Sequence, residues 1–159
     1  MPMEEIAQLQ ETFDVVVSSL AFHYVEDFSG VVRNIYDLLE PGGNFIFSQE
    51  NPLCTCHSGE NRWTRNENGE KLYLNLANYG VEGERESVWF VDNVKKYHRT
   101  FSTIINTLIE AGFTVEKMIE PLPDDELLEK YPDYKDLFHK PDFLLVRVRK
   151  TPKKYQSPF

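Results

Sequence analysis

Cysteine is nearly missing from this chain: 159 residues carry 2, Cys54 and Cys56, separated by one position. That excludes the disulfide framework of a small secreted scaffold. No apolar run approaches the roughly 20 residues that cross a bilayer. Met1-Pro-Met-Glu-Glu5 offers neither the basic nor the apolar region of a secretory leader, so a cytoplasmic protein is the expectation. Positive charge is also short, with 17 Lys plus Arg against 26 Asp plus Glu and a net charge of −9. Phosphate backbones and anionic lipid repel such a chain, so neither nucleic acid nor membrane is expected as a partner. Its one basic cluster, Lys150-Thr-Pro-Lys-Lys154, reads as solvated, and 151–159 as a mobile tail.

What is present is a globular composition, 41% apolar and 13% aromatic, long enough for one domain with a core. Phe13 to Val17 is β-branched and aromatic without alternation, which suits a strand buried on both faces of a parallel sheet. Asp27 or Ser29 can cap a helix whose apolar positions Val31, Val32, Ile35, Leu38 and Leu39 recur at helical spacing, with Pro41-Gly42-Gly43 as its stop. Asn44 to Ser48 then returns as a second strand, completing a βαβ unit with a right-handed crossover. Residues 51–84 are polar and weakly periodic, as in a functional lid or a disordered segment. Glu86–Val91 and Val94–His98 read as a hairpin around Asp92-Asn93. Thr100 caps a helix with Ile104, Ile105, Leu108 and Ile109 on one face, ended by Gly112. A strand over Thr114–Ile119, a short helix over Asp124–Lys130 and a strand over Phe143–Val148 complete the expected elements.

At this level the residues carry a resemblance. Phe13–Ser18, Ser19-Leu-Ala-Phe-His-Tyr-Val25 and Leu39-Glu-Pro-Gly-Gly43 resemble the fourth strand, helix and fifth strand of class I S-adenosylmethionine-dependent methyltransferases. Ser48-Gln-Glu-Asn-Pro52, Asn78-Tyr-Gly-Val-Glu-Gly-Glu-Arg85, Tyr97-His-Arg-Thr100, Ala111-Gly-Phe113 and Glu120-Pro121 resemble the small bacterial, methyltransferase type 11-like group within that class. The resemblance runs from Phe13 to Lys150. It implies an α/β fold built on a partial Rossmann-like sheet: the fourth, fifth, seventh and sixth strands of the family, side by side, with the last strand antiparallel. The domain is then single and incomplete over 1–150, with 51–99 as an inserted lid and hairpin. The implied activity is methyl transfer from S-adenosylmethionine to a small-molecule acceptor.

The family's glycine-rich loop, and the acidic residues that hold ribose and adenine, have no counterpart here. Gly42-Gly43 lies between a helix and a strand and cannot serve as that loop. The chain is therefore expected to be the substrate-side half, inactive or very weak alone, and to dimerise or associate through the apolar edge of strand 13–18.

Ligands of such folds gather at the carboxyl ends of the strands. By resemblance, Ser18, Ser19, Leu20 and Phe22 line the cofactor, and Tyr24 opens onto the substrate. His23 is the best-placed general base, because imidazole titrates near neutrality; its plain alternative is packing against the next helix. Gln49, Glu50 and Asn51 are acceptor ligands, or else ordinary turn chemistry before Pro52. Tyr97, His98 and Arg99 read as substrate contacts, with His98 a second base and Arg99 pairing an anion, or as a structural bridge. Trp63, Tyr73, Tyr79, Trp89 and Phe90 wall an apolar pocket or belong to the core. Cys54-Thr-Cys-His57 supplies at most three soft ligands where structural zinc takes four, so no metal is expected. Two rival readings follow: a non-catalytic partner subunit that pairs through its open edge, and a small ligand- or metal-binding module.

Overall fold

The computed structural model describes residues 2–56, 61–87 and 94–151. After a 3-10 turn over Met3–Gln8, strand β1 (Phe13–Ser19) leads through a second such turn, Phe22–Tyr24, into helix α1 (Phe28–Leu38). The Asp27 side chain caps α1 by accepting the Gly30 N–H at 2.8 Å. Strand β2 (Leu39–Glu50) follows without a loop. The short helix α2 (Pro52–Thr55) and two hairpins come next, β3 (Trp63–Arg65) with β4 (Lys71–Leu74) and β5 (Gly83–Ser87) with β6 (Val94–His98). Helix α3 (Phe101–Glu110), strand β7 (Phe113–Ile119), helix α4 (Asp125–Lys130) and strand β8 (Phe143–Lys150) close the order.

The main sheet runs β1-β2-β8-β7. β1 and β2 are parallel, with Val17 opposite Ile46, while β8 is antiparallel to both β2 and β7. This is the mixed α/β sheet anticipated, with the last strand inserted antiparallel. Alternate residues of β2 and β8 point to one side. There Phe45, Phe47, Leu144, Val146 and Val148 meet Phe22 and the apolar faces of α1 (Phe28, Val31, Val32, Ile35) and α3 (Ile104, Leu108). The Phe45 and Phe47 rings stack at 4.9 Å, and Phe22 lies 5.5 Å and 5.1 Å from them. Gly112, at φ +103, ends α3 in a left-handed conformation with the Tyr36 ring against it.

Several expectations are corrected. β1 is not buried on both faces: Val15 and Val17 are 49% and 69% exposed, because no element among the described residues packs on that side or beyond that edge. Pro41-Gly42-Gly43 does not stop α1 from outside; it lies within β2. Gly43 is needed there, since a Cβ would sit 2.9 Å from the Glu40 carbonyl oxygen and 3.0 Å from that of Asp14. The second hairpin begins earlier than expected, with Gly83 opposite His98, and its expected Asp92-Asn93 turn lies outside the described residues. Most of the expected tail, 152–159, lies outside them too. No helix among the described residues is long and apolar enough to cross a membrane.

Candidate functional site

At the carboxyl end of β1 the chain turns sharply at Leu20, which holds φ +50. A branched side chain in that region is strained by about 1–3 kcal/mol and persists only where its surroundings fix it. Here the Leu20 N–H donates to the Ser48 carbonyl at 2.9 Å and lies 3.1 Å from the Ser48 hydroxyl, tying the ends of β1 and β2 together. The turn carries Leu20, His23 and Tyr24 to the wall of a cavity of about 450 Å³. Glu50, at the end of β2, lines it as well. The segment after β2 contributes Cys54, Thr55, Arg62, Arg85, Glu86 and Lys96, and the approach to β8 adds Lys140, Asp142 and Phe143.

His23 is 4% exposed. Its Nδ1 accepts the Glu50 backbone N–H at 3.2 Å, which assigns the ring proton to Nε2. Nε2 lies 4.0 Å from Glu50 Oε1. Burial, opposed by Glu50 and assisted by Lys96, lowers the imidazole pKa to about 4, so the ring is neutral near pH 7. Lys96 in turn pairs with the Glu50 carboxylate at 2.5 Å. Deeper along the wall Lys140, itself buried, pairs with Asp142 and stands 3.0 Å from the Cys54 sulfur. Burial pushes the Cys54 thiol up, more than the Lys140 charge lowers it, so the sulfur stays protonated near neutrality.

Leu20, His23, Tyr24 and Glu50 are thus brought together at one cavity, and the other expected site residues are not. Phe22 is fully buried at the centre of the aromatic core, so its ring is unavailable to a cofactor. Ser18 and Ser19 end β1 outside the cavity lining. Gln49 shares the helix-covered side of β2 with Phe45 and Phe47. Asn51 is buried as the cap of α2, accepting the Leu53 N–H at 2.9 Å and donating to Glu120 at 2.6 Å. His98 is enclosed, with Nδ1 2.7 Å from the Thr55 hydroxyl and Nε2 2.8 Å from the Tyr79 carbonyl oxygen. Both nitrogens are engaged, which corrects the expectation of a second base. Arg99 donates to the carbonyls of Val25 and Glu26 and lies 5.1 Å from the Phe28 ring, a clamp on the start of α1 and not an anion site. Tyr97 donates to Glu26 at 3.3 Å, also outside the cavity lining.

The expected aromatic wall disperses. Trp63 packs against His139 beside a second cavity of about 640 Å³, Tyr73 is 67% exposed, and the Tyr79 hydroxyl accepts the Phe101 N–H at 3.0 Å. Trp89, Phe90 and His57 lie outside the described residues. No metal-ligating cluster occurs among the described residues. Arg62, Lys96 and Lys140 escape sequence reading, and Arg85 enters it only through a family motif, because isolated cations in polar loops and on a two-residue strand alternation look like any solvated face.

These residues fit one end of a nucleoside sulfonium cofactor. The Leu20 turn at the carboxyl end of β1 suits its methionine end, whereas no glycine-rich strand-to-helix turn or ribose-binding carboxylate stands beside β1 among the described residues.

A mixed sheet with its last strand antiparallel, and a cavity at the carboxyl ends of its parallel pair, defines the class I methyltransferase arrangement. Comparison with known proteins agrees. The methyltransferase domain family matches residues 1–47. An S-adenosylmethionine-dependent methyltransferase of Mesorhizobium loti is 35% identical, with 94% of this chain and 67% of that one superimposed at a TM-score of 0.83. A Listeria monocytogenes protein provisionally assigned to the same enzymes is also 35% identical, covering 96% of this chain and 68% of that one at 0.81. An uncharacterized Haemophilus influenzae protein is 42% identical over 154 residues, 96% of this chain and 60% of that protein. The mitochondrial arginine-hydroxylase NDUFAF5 of Danio rerio is 45% identical over 117 residues, 72% of this chain and 30% of that protein. The chain belongs to the S-adenosylmethionine-dependent methyltransferases, and it spans less than two thirds of the length of the Haemophilus influenzae and Danio rerio relatives.

Proposed function

We propose that this chain is the acceptor-facing part of a methyltransferase that moves a methyl group from S-adenosylmethionine to a small molecule held in the Leu20–His23–Glu50 cavity. The observation that carries this reading is the position of that cavity, at the ends of the parallel strands where such folds hold their ligands. When bound, S-adenosylmethionine supplies an electrophilic methyl group for in-line displacement. The protein's task is then to align the acceptor and exclude water. His23 presents Nε2–H as a donor that orients the acceptor, while the Glu50 carboxylate, steadied by Lys96, is the group able to accept its proton. Tyr24 and Leu20 wall the apolar side.

The contacts to ribose and adenine come from outside these residues, and the open edge of β1 is the place where strands carrying them pair. Calorimetric titration of S-adenosylmethionine into this chain alone is therefore expected to show no micromolar binding. Methyl transfer is expected to emerge on adding the amino-terminal portion of the Mesorhizobium loti relative. Micromolar binding by the isolated chain would overturn the division of labour.

The exposed Val15 and Val17 favour a second reading, a partner subunit that completes another polypeptide without catalysis of its own. A stable complex that shows no transfer would favour it.

A further inference from the structure

We propose that the cavity recognises its acceptor by an anionic head group, a carboxylate or phosphate gripped by Arg62 and Arg85; this rests on reading the cavity as the acceptor site. Among the described residues four cations and three carboxylates line it; Lys96 pairs with Glu50 and Lys140 with Asp142, while Glu86 forms no ion pair with either remaining cation. Arg62 donates to the Cys54 carbonyl, and Arg85 donates to the carbonyls of Val81 and Glu84, the latter at 3.0 Å. No carboxylate pairs with either among the described residues.

Arg85 also buries an Nε–H that has no acceptor among the described residues. Such a donor is costly when left unmade, and in a native protein it calls for a partner. The two side chains line the same cavity. In a chain of net charge −9, this cavity wall, with Arg62, Arg85, Lys96 and Lys140 against Glu50, Glu86 and Asp142, keeps a cationic excess of one among the described residues. The planar fork of arginine matches the two oxygens of a carboxylate or phosphate. Leu20, Tyr24 and Phe143 offer apolar surface for the rest of the molecule.

The test titrates benzoate and phenyl phosphate into the full chain, with benzamide as the neutral isostere, and follows binding by NMR shifts. At least one anion is expected to bind about tenfold or more tightly than benzamide, and Arg62→Gln and Arg85→Gln are each expected to lose about that factor. The preference between the two anions tells carboxylate from phosphate. Arg85→Lys, which keeps the charge and loses the fork, falls between. Thermal unfolding of each variant identifies those that remain folded, and the wild-type comparison stands without them. Equal affinity of wild type for all three probes overturns the proposal, as does an undiminished anion preference in a folded R62Q/R85Q variant. No methyl donor is added, so this result is independent of the transfer assay: anion binding without transfer by the completed protein would remove the enzymatic reading and leave the anion site standing.

Discussion

The backbone N–H of Glu50 donates to Nδ1 of His23 at 3.2 Å, so the end of β2 fixes the tautomer of a histidine delivered by the turn after β1. The imidazole is thereby a neutral Nε2–H donor beside a carboxylate. It is not a free base, because the one lone pair of the neutral ring is already used.

That arrangement has a pH signature. Burial depresses the His23 pKa from 6.5 to about 4, and burial shifts His98 downward as well. The unfolded chain therefore binds protons that the folded chain refuses. The histidine contribution is fully present above the unfolded pKa of 6.5, is lost as pH falls towards about 4, and is constant below that. Urea midpoints measured from about pH 7 to about pH 5 should fall more for wild type than for His23→Gln, the comparison cancelling most carboxylate titration. Parallel pH profiles for the two proteins would contradict the assignment of a buried neutral ring.

A second prediction couples two residues at the start of α1. Asp27 caps the helix through the Gly30 N–H, and a Cβ on Gly30 would lie 2.8 Å from the Asp27 carboxyl carbon. Asp27→Ala alone should cost about 1 kcal/mol, as cap losses do. Gly30→Ala should destabilise wild type by displacing that cap. In the Asp27→Ala background the same change should instead stabilise by up to about 1 kcal/mol, because alanine outperforms glycine within a helix. A thermal double-mutant cycle reads the difference directly, and additive effects would contradict the contact.

Much of this fold was legible in the sequence because local chemistry and tertiary role agree. Asp27 and Thr100 each cap the helix that the apolar periodicity announces, and Asp124 caps the short helix expected from that position. Phe45 and Phe47 alternate as a strand with one covered side must. The site was legible only in part. The neighbourhood of Leu20, His23, Tyr24 and Glu50 follows from strand ends meeting in a parallel pair, which sequence can anticipate. The direction in which a side chain points is a different matter. Phe22 and His23 are adjacent, yet one faces the core and the other the cavity, and a 3-10 turn decides which. His98 spends its nitrogens on the Thr55 hydroxyl and the Tyr79 carbonyl, and Arg99 its guanidinium on the Val25 and Glu26 carbonyls, all distant in sequence. Nothing in Tyr97-His98-Arg99 reveals those partners.

Arg99 therefore supplies a third prediction. Its guanidinium holds the carbonyls of Val25 and Glu26 and packs on Phe28. Arg99→Met should reduce stability by about 1.5–3 kcal/mol, the range for hydrogen bonds to a charged group. It should leave the affinity for the benzoate and phenyl phosphate probes unchanged, since Arg99 does not line the cavity. Lost probe affinity in a variant that stays folded would return Arg99 to the site.

The last prediction concerns β1. Its outer edge is unpaired among the described residues, and Val15 and Val17 stand exposed on its open face opposite Asn44 and Ile46 of β2. Apolar strand edges recruit further strands, and charged side chains, lysine above all, are how proteins prevent it. Light scattering at rising concentration should then show association of this chain. Val17→Lys should suppress it while costing little stability, since a side chain 69% exposed loses little packing when replaced. The same lysine should block completion by a donor-side polypeptide if both use that edge. A monodisperse wild-type monomer at high concentration would count against self-association. Unimpaired completion in the Val17→Lys variant would place the joining surface elsewhere on the molecule.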